Sequence, residues 1–439
     1  MGTFSGVVGS RERGILSSFI ILLLFITPWL LFVWSNPKDW VGITIAMFTM
    51  YSTVVVKEVK NNKKVFFSVS FVLILHHAFA IINAYFMVTS GAEGDALWFQ
   101  REAEIMAASG NIDLTVNGAA FYINFLAFFY AKLGSSHLLG MELSVLAFYL
   151  SIIVMLKILK VIQVKRYEGV LVLLYGCLPT VLMLSSLILR ESWQMLFFML
   201  VIYSSIRLRQ TKKVRWFIAL LLSMVLLAVW HNGFLAIAPF LGFIALQWAY
   251  GKKKRSMISW VIKIVIIAAI VLIGFRLSGY SGNSGAAGAL TSGNALDYVE
   301  QYRMNSDRNA GASYVTSVNF GGTLGTVINI PIMFVMYMFA PMPWHIRGAI
   351  DIYAMAESLF RFILLVAAYK TWKRSAGEVK SALGFMVVSA LLIEALWSMG
   401  TINWGTAMRH HLVAYPVLLC ISGPLIVEKL KRGLIAIVK

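Results

Sequence analysis

Residues 57–88 read KEVKNNKKVFFSVSFVLILHHAFAIINAYFMV, four lysines followed by an unbroken apolar run that carries two histidines. A bilayer core about 30 Å thick is crossed by roughly 20 helical residues at about 1.5 Å each. The run 65–88 is therefore long enough to cross, and lysines massed at one end of a crossing mark its cytoplasmic side.

The same pattern recurs along the chain. Of 439 residues, 59% are hydrophobic and only 13% charged, with a mean hydropathy of +0.79. A soluble domain carries about a quarter charged residues. The expected fold is all-α: a polytopic transmembrane helical bundle in which residues 1–439 form a single integral membrane domain. Candidate spans cover 14–34, 40–56, 65–88, 138–157, 169–188, 191–207, 216–231, 234–249, 257–276, 352–370, 381–399 and 406–426. These are twelve, and the apolar pieces 119–133 and 322–340 permit fourteen. Residues 15–34 follow Arg11 and Arg13 without a small-residue cleavage site, so they are expected to be retained as a helix.

Basic clusters decide between the counts. With twelve crossings, KEVKNNKK (57–64), KILKVIQVKR (157–166), RLRQTKKVR (207–215), KKKR (252–255), KTWKR (370–374) and EKLKR (428–432) share one side with both termini. That side then holds 28 of the 38 basic and 5 of the 19 acidic residues, against 10 and 14 on the other. Such a bias assigns it to the cytoplasm. Letting 119–133 or 322–340 cross singly would invert the clusters between them, so both are expected as re-entrant or interfacial helices on the outer face. The net charge of +19 is then a topology signal plus attraction to anionic membrane lipid, and needs no nucleic acid. Cys177 and Cys420 both lie in apolar stretches and read as small buried hydrophobes.

Two long outer loops follow from this sorting, 89–137 and 277–351. In the first, 95–108 reads as an amphipathic interfacial helix, with Ala96, Phe99, Ala103, Met106 and Ala107 apolar and Arg101, Glu102 and Glu104 polar. Asp95 is either its first-turn acid or a carboxylate placed to take a proton from an acceptor hydroxyl, with Glu93 as a spare. At the tip of SSLILRESWQ (185–194), Arg190 and Glu191 form either an interfacial ion pair or a phosphate ligand, since a guanidinium binds oxygens in pairs. His231, in WHNGF (230–234), is a solvated turn residue or a ligand contact.

The second loop brings Tyr298, Tyr302, Arg303, Asp307, Arg308 and Tyr314, which suit either a saccharide or phosphate groove or an ordinary membrane-facing surface. Arg347 follows APMPW (340–344). Glu357 and Arg361 stand four apart, in the favourable order for an ion pair, and Glu394 lies near the outer end of its span. NWGTAMRHH (403–411) sets Arg409, His410 and His411 at the opening of the last span. Among the 10 outer basic residues only Lys38 and Lys132 are lysines, which favours paired binding of phosphate oxygens by the arginines. There is no Walker loop, so ATP-driven chemistry finds no support.

The order of these features resembles a broad bacterial family of integral membrane glycosyltransferases and polysaccharide polymerases. The carrying motifs are Gly94-Asp95, Leu189-Arg190-Glu191-Ser192, Asp307-Arg308 with Gly311-Ala312-Ser313, Pro341-Met342-Pro343-Trp344, and Gly405-Thr406-Ala407-Met408-Arg409-His410-His411. His411 stands where that pattern has a second arginine. The resemblance implies a reaction of a polyprenyl-linked saccharide at the outer leaflet of the bacterial cytoplasmic membrane. One version is a GT-C-like transferase, whose first outer loop carries membrane-lying helices and an acidic base. The other is a Wzy-type (O-antigen) polymerase joining repeat units held on undecaprenyl pyrophosphate, in company with other polysaccharide-assembly proteins. The implied mechanism uses Asp95 as base, with His410 and Glu191 as further catalytic candidates. Arg190, Arg409, Arg303, Arg308, Arg347 and His231 would bind substrate or phosphate. No cofactor is implied, because the leaving group is the lipid phosphate. From a different class, a flippase or secondary transporter of lipid-linked or anionic saccharides would use the intramembrane Glu142, Glu394 and Arg361 as a relay.

Overall fold

A computed structural model describes residues 37–250, apart from 90, 117 and 165, and residues 322–438. The expected spans 14–34 and 257–276 lie outside the described residues, as do Tyr298, Tyr302, Arg303, Asp307, Arg308 and Tyr314.

Among the described residues the regular structure is helical, with no strand. The first half runs α1 (Trp40–Val55), α2 (Lys57–Lys60), α3 (Lys63–Tyr85), α4 (Asp95–Ser109), α5 (Gly118–Leu133), α6 (His137–Val161), α7 (Glu168–Gly176), α8 (Pro179–Ser185), α9 (Glu191–Thr211), α10 (Val214–Trp230) and α11 (Asn232–Tyr250). The second holds α12 (Gly322–Phe339), α13 (Ala349–Arg374), α14 (Gly377–Gly400), α15 (Trp404–His411) and α16 (Tyr415–Val438). Caps fix several starts: Asn62 Oδ1 accepts from Lys64 N at 3.1 Å, and Ser136 Oγ accepts from Leu139 N at 3.1 Å. Each cap is worth about 1 kcal/mol.

Three of these helices, α3, α6 and α14, are long and apolar enough to cross a membrane. Two bent pairs bring the number to five if each is one span: α7 with α8, at 67°, and α15 with α16, at 73°. Two stretches expected as continuous spans are thus broken. The 169–188 run breaks at Cys177 and Leu178, where Pro179 opens a new helix and has no N–H to continue the old one. The 406–426 run ends its first helix at His411, so Arg409, His410 and His411 close a short helix instead of opening a long one.

The most enclosed of the long helices is α6, which packs against α1, α3 and α9. In turn α9 packs on α10 and α11, while α13 packs on α16, and α14 on α11, α12 and α16. The pair α4 and α5 packs together, so helices form over the expected stretches 95–108 and 119–133.

Several polar groups inside this packing are paired. His77 Nδ1 lies 2.8 Å from Glu142 Oε2, and His77 Nε2 lies 3.0 Å from Thr49 Oγ1, joining α3 to α6 and α1. The ion pair expected between Glu357 and Arg361 does not form. Arg361, fully buried, donates instead to Met338 O at 3.1 Å and to Tyr415 Oη at 3.1 Å, while Glu357 accepts from Tyr353 Oη. A buried guanidinium binds whichever acceptors the neighbouring helices present, and here α12 and α16 present them.

Candidate functional site

Three separate helix ends are aimed at one another. Gly94, with φ +62°, turns the chain in a conformation that side chains disfavour, so that α4 begins at Asp95. The hairpin before α9 is tied to α6, where Ser144 Oγ donates to Leu189 O at 3.3 Å. Beneath it Gly140 permits a close approach, since a Cβ there would lie 2.5 Å from Tyr130 Oη and 3.0 Å from Ile188. Glu191 then opens α9. At α15, Asn403 Oδ1 accepts from Thr406 N at 2.7 Å and Trp404 Nε1 donates to Asp351 Oδ1 at 2.9 Å. The other oxygen of Asp351 accepts from the backbone N–H of Arg347 and of Gly348 at 2.9 and 3.1 Å, which fixes α15 against the start of α13.

Successive residues of a helix point about 100° apart, and the three basic residues that end α15 accordingly face three ways. Arg409 reaches between α4 and α9. Its Nη1 donates to Asp95 Oδ2 at 2.5 Å, and its Nε and Nη2 donate to Glu191 Oε1 at 2.9 and 2.6 Å. The two carboxylates differ in setting: the Asp95 side chain is 56% exposed, that of Glu191 only 4%. The second oxygen of Glu191, Oε2, has no hydrogen-bond partner among the described residues.

His410 stacks on Trp397 with ring centroids 4.1 Å apart and planes 14° from parallel, and its Nδ1 lies 2.9 Å from Thr401 Oγ1. His231 meets the same indole edge-on at 4.4 Å and lies 6.2 Å from the His410 ring. Its Nδ1 accepts from Gly233 N at 3.0 Å, so in the neutral ring the proton sits on Nε2. Arg190 holds its guanidinium 5.9 Å over the Phe99 ring of α4, within electrostatic reach of His231 and His410. His411 faces away from this group. It is fully buried, with Nδ1 2.7 Å from Glu394 Oε2 and Nε2 donating to Tyr337 O at 3.2 Å.

Of the residues expected to form a site, Asp95, Arg190, Glu191, His231, Arg409 and His410 come together at these helix ends. Arg347 does not join them. It is exposed on the segment leading into α13, where it meets Asp351 through its backbone N–H. Beside it His345, stacked on Trp404 at 5.9 Å, has its pKa lowered first by burial and then by the Arg347 charge. Arg190 and Glu191, adjacent in sequence, do not pair with each other; Glu191 takes Arg409.

Several contributors went unnoticed in the sequence. Thr401 and Trp397 orient His410, and Asp351 with Trp404 seats α15. An aromatic wall also fixes the start of α9 against the end of α10. Trp193 stacks on Trp230 at 5.1 Å, and Phe125 of α5 lies 5.4 and 5.0 Å from the two. Such pairs contribute about 0.5–1.5 kcal/mol each beyond area burial. The asparagine-to-Thr406 spacing of a helix cap was the one local signal for any of this.

Among the described residues no group of three or more His, Cys, Asp or Glu side chains is arranged to hold a metal ion. Arg190 and Arg409 balance Asp95 and Glu191 in formal charge, and three N–H groups of Arg409 are taken by the two carboxylates. Comparison with known proteins finds no matching family model and no matching curated protein.

Proposed function

We propose that this chain is an integral membrane glycosyltransferase or polysaccharide polymerase. It would act at the outer face of the bacterial cytoplasmic membrane, with a polyprenyl-phosphate or polyprenyl-pyrophosphate sugar as donor. The observation that carries this reading is the single guanidinium of Arg409 bonded at once to the exposed Asp95 and the buried Glu191.

Glu191 anchors Arg409 from its enclosed side and keeps the fork aimed. A lipid phosphate takes the open side, at Nη1, because its oxygens match the guanidinium fork in pairs and the exposed ion pair it replaces there costs little to break. Arg190 adds a second positive charge nearby. The incoming phosphate displaces Asp95, whose carboxylate is then free to act as a base. An acceptor hydroxyl attacks the anomeric carbon, and its proton passes to Asp95. The bond from that carbon to the phosphate oxygen breaks, and Arg409 stabilises the charge left on the departing lipid phosphate. His410, oriented by Thr401 and Trp397, is the second candidate base. In this reading the twelve crossings keep both termini in the cytoplasm, with Arg303 and Arg308 on the outer side.

The buried pairs His77–Glu142 and His411–Glu394 favour a second reading, that of a flippase or transporter. One experiment separates them. Purified protein is reconstituted in liposomes with a polyprenyl-pyrophosphate oligosaccharide or a polyprenyl-phosphate sugar. Transfer predicts a lengthened glycan or a glycosylated acceptor. Movement of intact lipid-linked saccharide across the bilayer, with no new glycosidic bond from either donor, would overturn it.

A further inference from the structure

A groove of about 490 Å³ opens between α11, the end of α13 and the start of α14, at the opposite end of α14 from Trp397. Its sides are indoles. Trp248 of α11 stacks on Phe385 at 4.4 Å, with planes 6° apart, and donates from Nε1 to Ser381 Oγ at 2.8 Å. Trp372 of α13 closes the other side over Gly384, where a Cβ would come within 3.0 Å of the indole nitrogen. A larger residue there would push Trp372 out of place.

The two ends of the groove differ in chemistry. At the end marked by Gly377, Lys380 holds its Nζ 5.1 Å over the Trp372 ring, and the exposed Lys373 and Arg374 end the neighbouring helix. Arg209 lies 4.8 Å over Trp248 and binds Glu378 through Nε and Nη2 at 2.7 and 3.1 Å, so this acid is already neutralised. At the end of α11, Lys212 lies 5.0 Å from the Tyr250 ring and donates to Ala249 O. At the other end Ile244 and Val388 are apolar, and Val388 is exposed. Gly377 and Val388 are separated by about 16 Å of helix at about 1.5 Å per residue.

We infer that this groove binds an anionic phospholipid. The phosphate lies at Lys380, and one acyl chain runs along the stacked Trp248–Phe385 pair toward Ile244 and Val388. A soluble anion would use only the cationic end, whereas an amphiphile uses both. In the topology proposed above the cationic end faces the cytoplasm, where anionic lipids gather and basic pockets between helices take their head groups. The inference rests on that membrane placement and is independent of the transfer reaction.

The test is native mass spectrometry of the full chain purified from membranes, with added dioleoylphosphatidylglycerol or dioleoylphosphatidylcholine. The protein should retain phosphatidylglycerol in preference to phosphatidylcholine. Lys380→Gln should weaken that retention about fivefold, the scale of one basic side chain at a lipid surface. Val388→Trp, at an exposed position, should block the apolar end and weaken it as well. Gel filtration and circular dichroism of both variants should match the parent protein. Equal retention of the two lipids, or unchanged phosphatidylglycerol binding in both variants, would overturn the site. So would a dimer that dissociates as lipid is added, because a second copy would then occupy the groove. Failure to recover the chain in the membrane fraction would remove the membrane placement itself, and the lipid site with it.

Discussion

Arg409 Nη1 sits 2.5 Å from Asp95 Oδ2 although 314 residues separate them in the chain, and the same guanidinium donates twice to Glu191 Oε1. One side chain thus joins α4, α9 and α15 at their ends. The arrangement is asymmetric, since Glu191 is enclosed and Asp95 is open. That asymmetry separates stability from activity.

Asp95→Asn should cost little in stability, because an exposed ion pair contributes at most about 1 kcal/mol. Turnover should fall by about 10²–10⁴-fold if its carboxylate takes the acceptor proton. A thermal melt and the liposome transfer assay on the same preparation check both parts. Full activity in this variant would remove Asp95 from the mechanism.

Glu191→Ala should behave in the opposite order. It leaves a guanidinium without its buried partner, a loss of about 3–5 kcal/mol when the pair is enclosed. The melting temperature should drop well below that of Asp95→Asn. A variant as stable as the parent would mean that Glu191 does not hold Arg409.

Gly94→Ala tests the local turn. At φ +62° a Cβ is strained by about 1–3 kcal/mol, and the chain relieves this by shifting the start of α4. No neighbouring atom lies within 4 Å of the added carbon, so packing is not the cause. Circular dichroism should be unchanged while kcat falls through displacement of Asp95, and KM for the lipid donor should not rise, because Asp95 no longer competes with the phosphate for Arg409.

Helices in the two long loops expected from the charge sorting were legible because their periodicity is local. The amphipathic helix expected over 95–108 forms as Asp95–Ser109, and the apolar pieces 119–133 and 322–340 form as the helices Gly118–Leu133 and Gly322–Phe339. The bends were not legible. Apolar character continues straight through Cys177 and through Leu412, so composition alone cannot mark where a helix changes direction. Members of the candidate site were legible as polar residues at the ends of apolar runs. Their pairing was not: Arg190 and Glu191 are neighbours, yet Glu191 bonds to a residue 218 positions away. Adjacent helical residues do not face each other, and a carboxylate bonds the donor that packing brings to it.

Arg347 and His345 give a pH test away from the cluster. His345 titrates below its ordinary value because burial and the Arg347 charge disfavour its protonated form. Arg347→Gln should therefore raise the His345 pKa, read from the histidine ring signals in an NMR titration, while burial keeps it below the unfolded value. For a histidine with a lowered folded pKa, the unfolded chain binds more protons as pH falls through about 6.5. This residue's contribution to stability is thus present above that pH and lost below it, and the variant should narrow the affected window. Turnover should change far less than in Arg409→Lys, since Arg347 lies outside the cluster.

The contact between Asp95, Glu191 and Arg409 also constrains the path through a membrane. Two side chains on one guanidinium lie on the same side, so an even number of crossings must separate residue 95 from residue 191. The helix α6 is long enough to be one of them. In the topology proposed above, the bent pair α7 and α8 is the other, a single broken span despite its 67° angle. Cysteine labelling tests this in a Cys177→Ala, Cys420→Ala background. Exposed Arg101, Arg166 and Lys213 are replaced one at a time by cysteine in intact cells and treated with an impermeant maleimide. The cysteine at 101 should react from outside, and those at 166 and 213 only after the membrane is opened. Outside reaction at 213 with protection at 166 would mean that only one of the α7–α8 pair and α9 crosses, and would overturn the paired crossings. Reaction at 166 would remove the crossing of α6, and protection at 101 would remove the outward placement of the cluster.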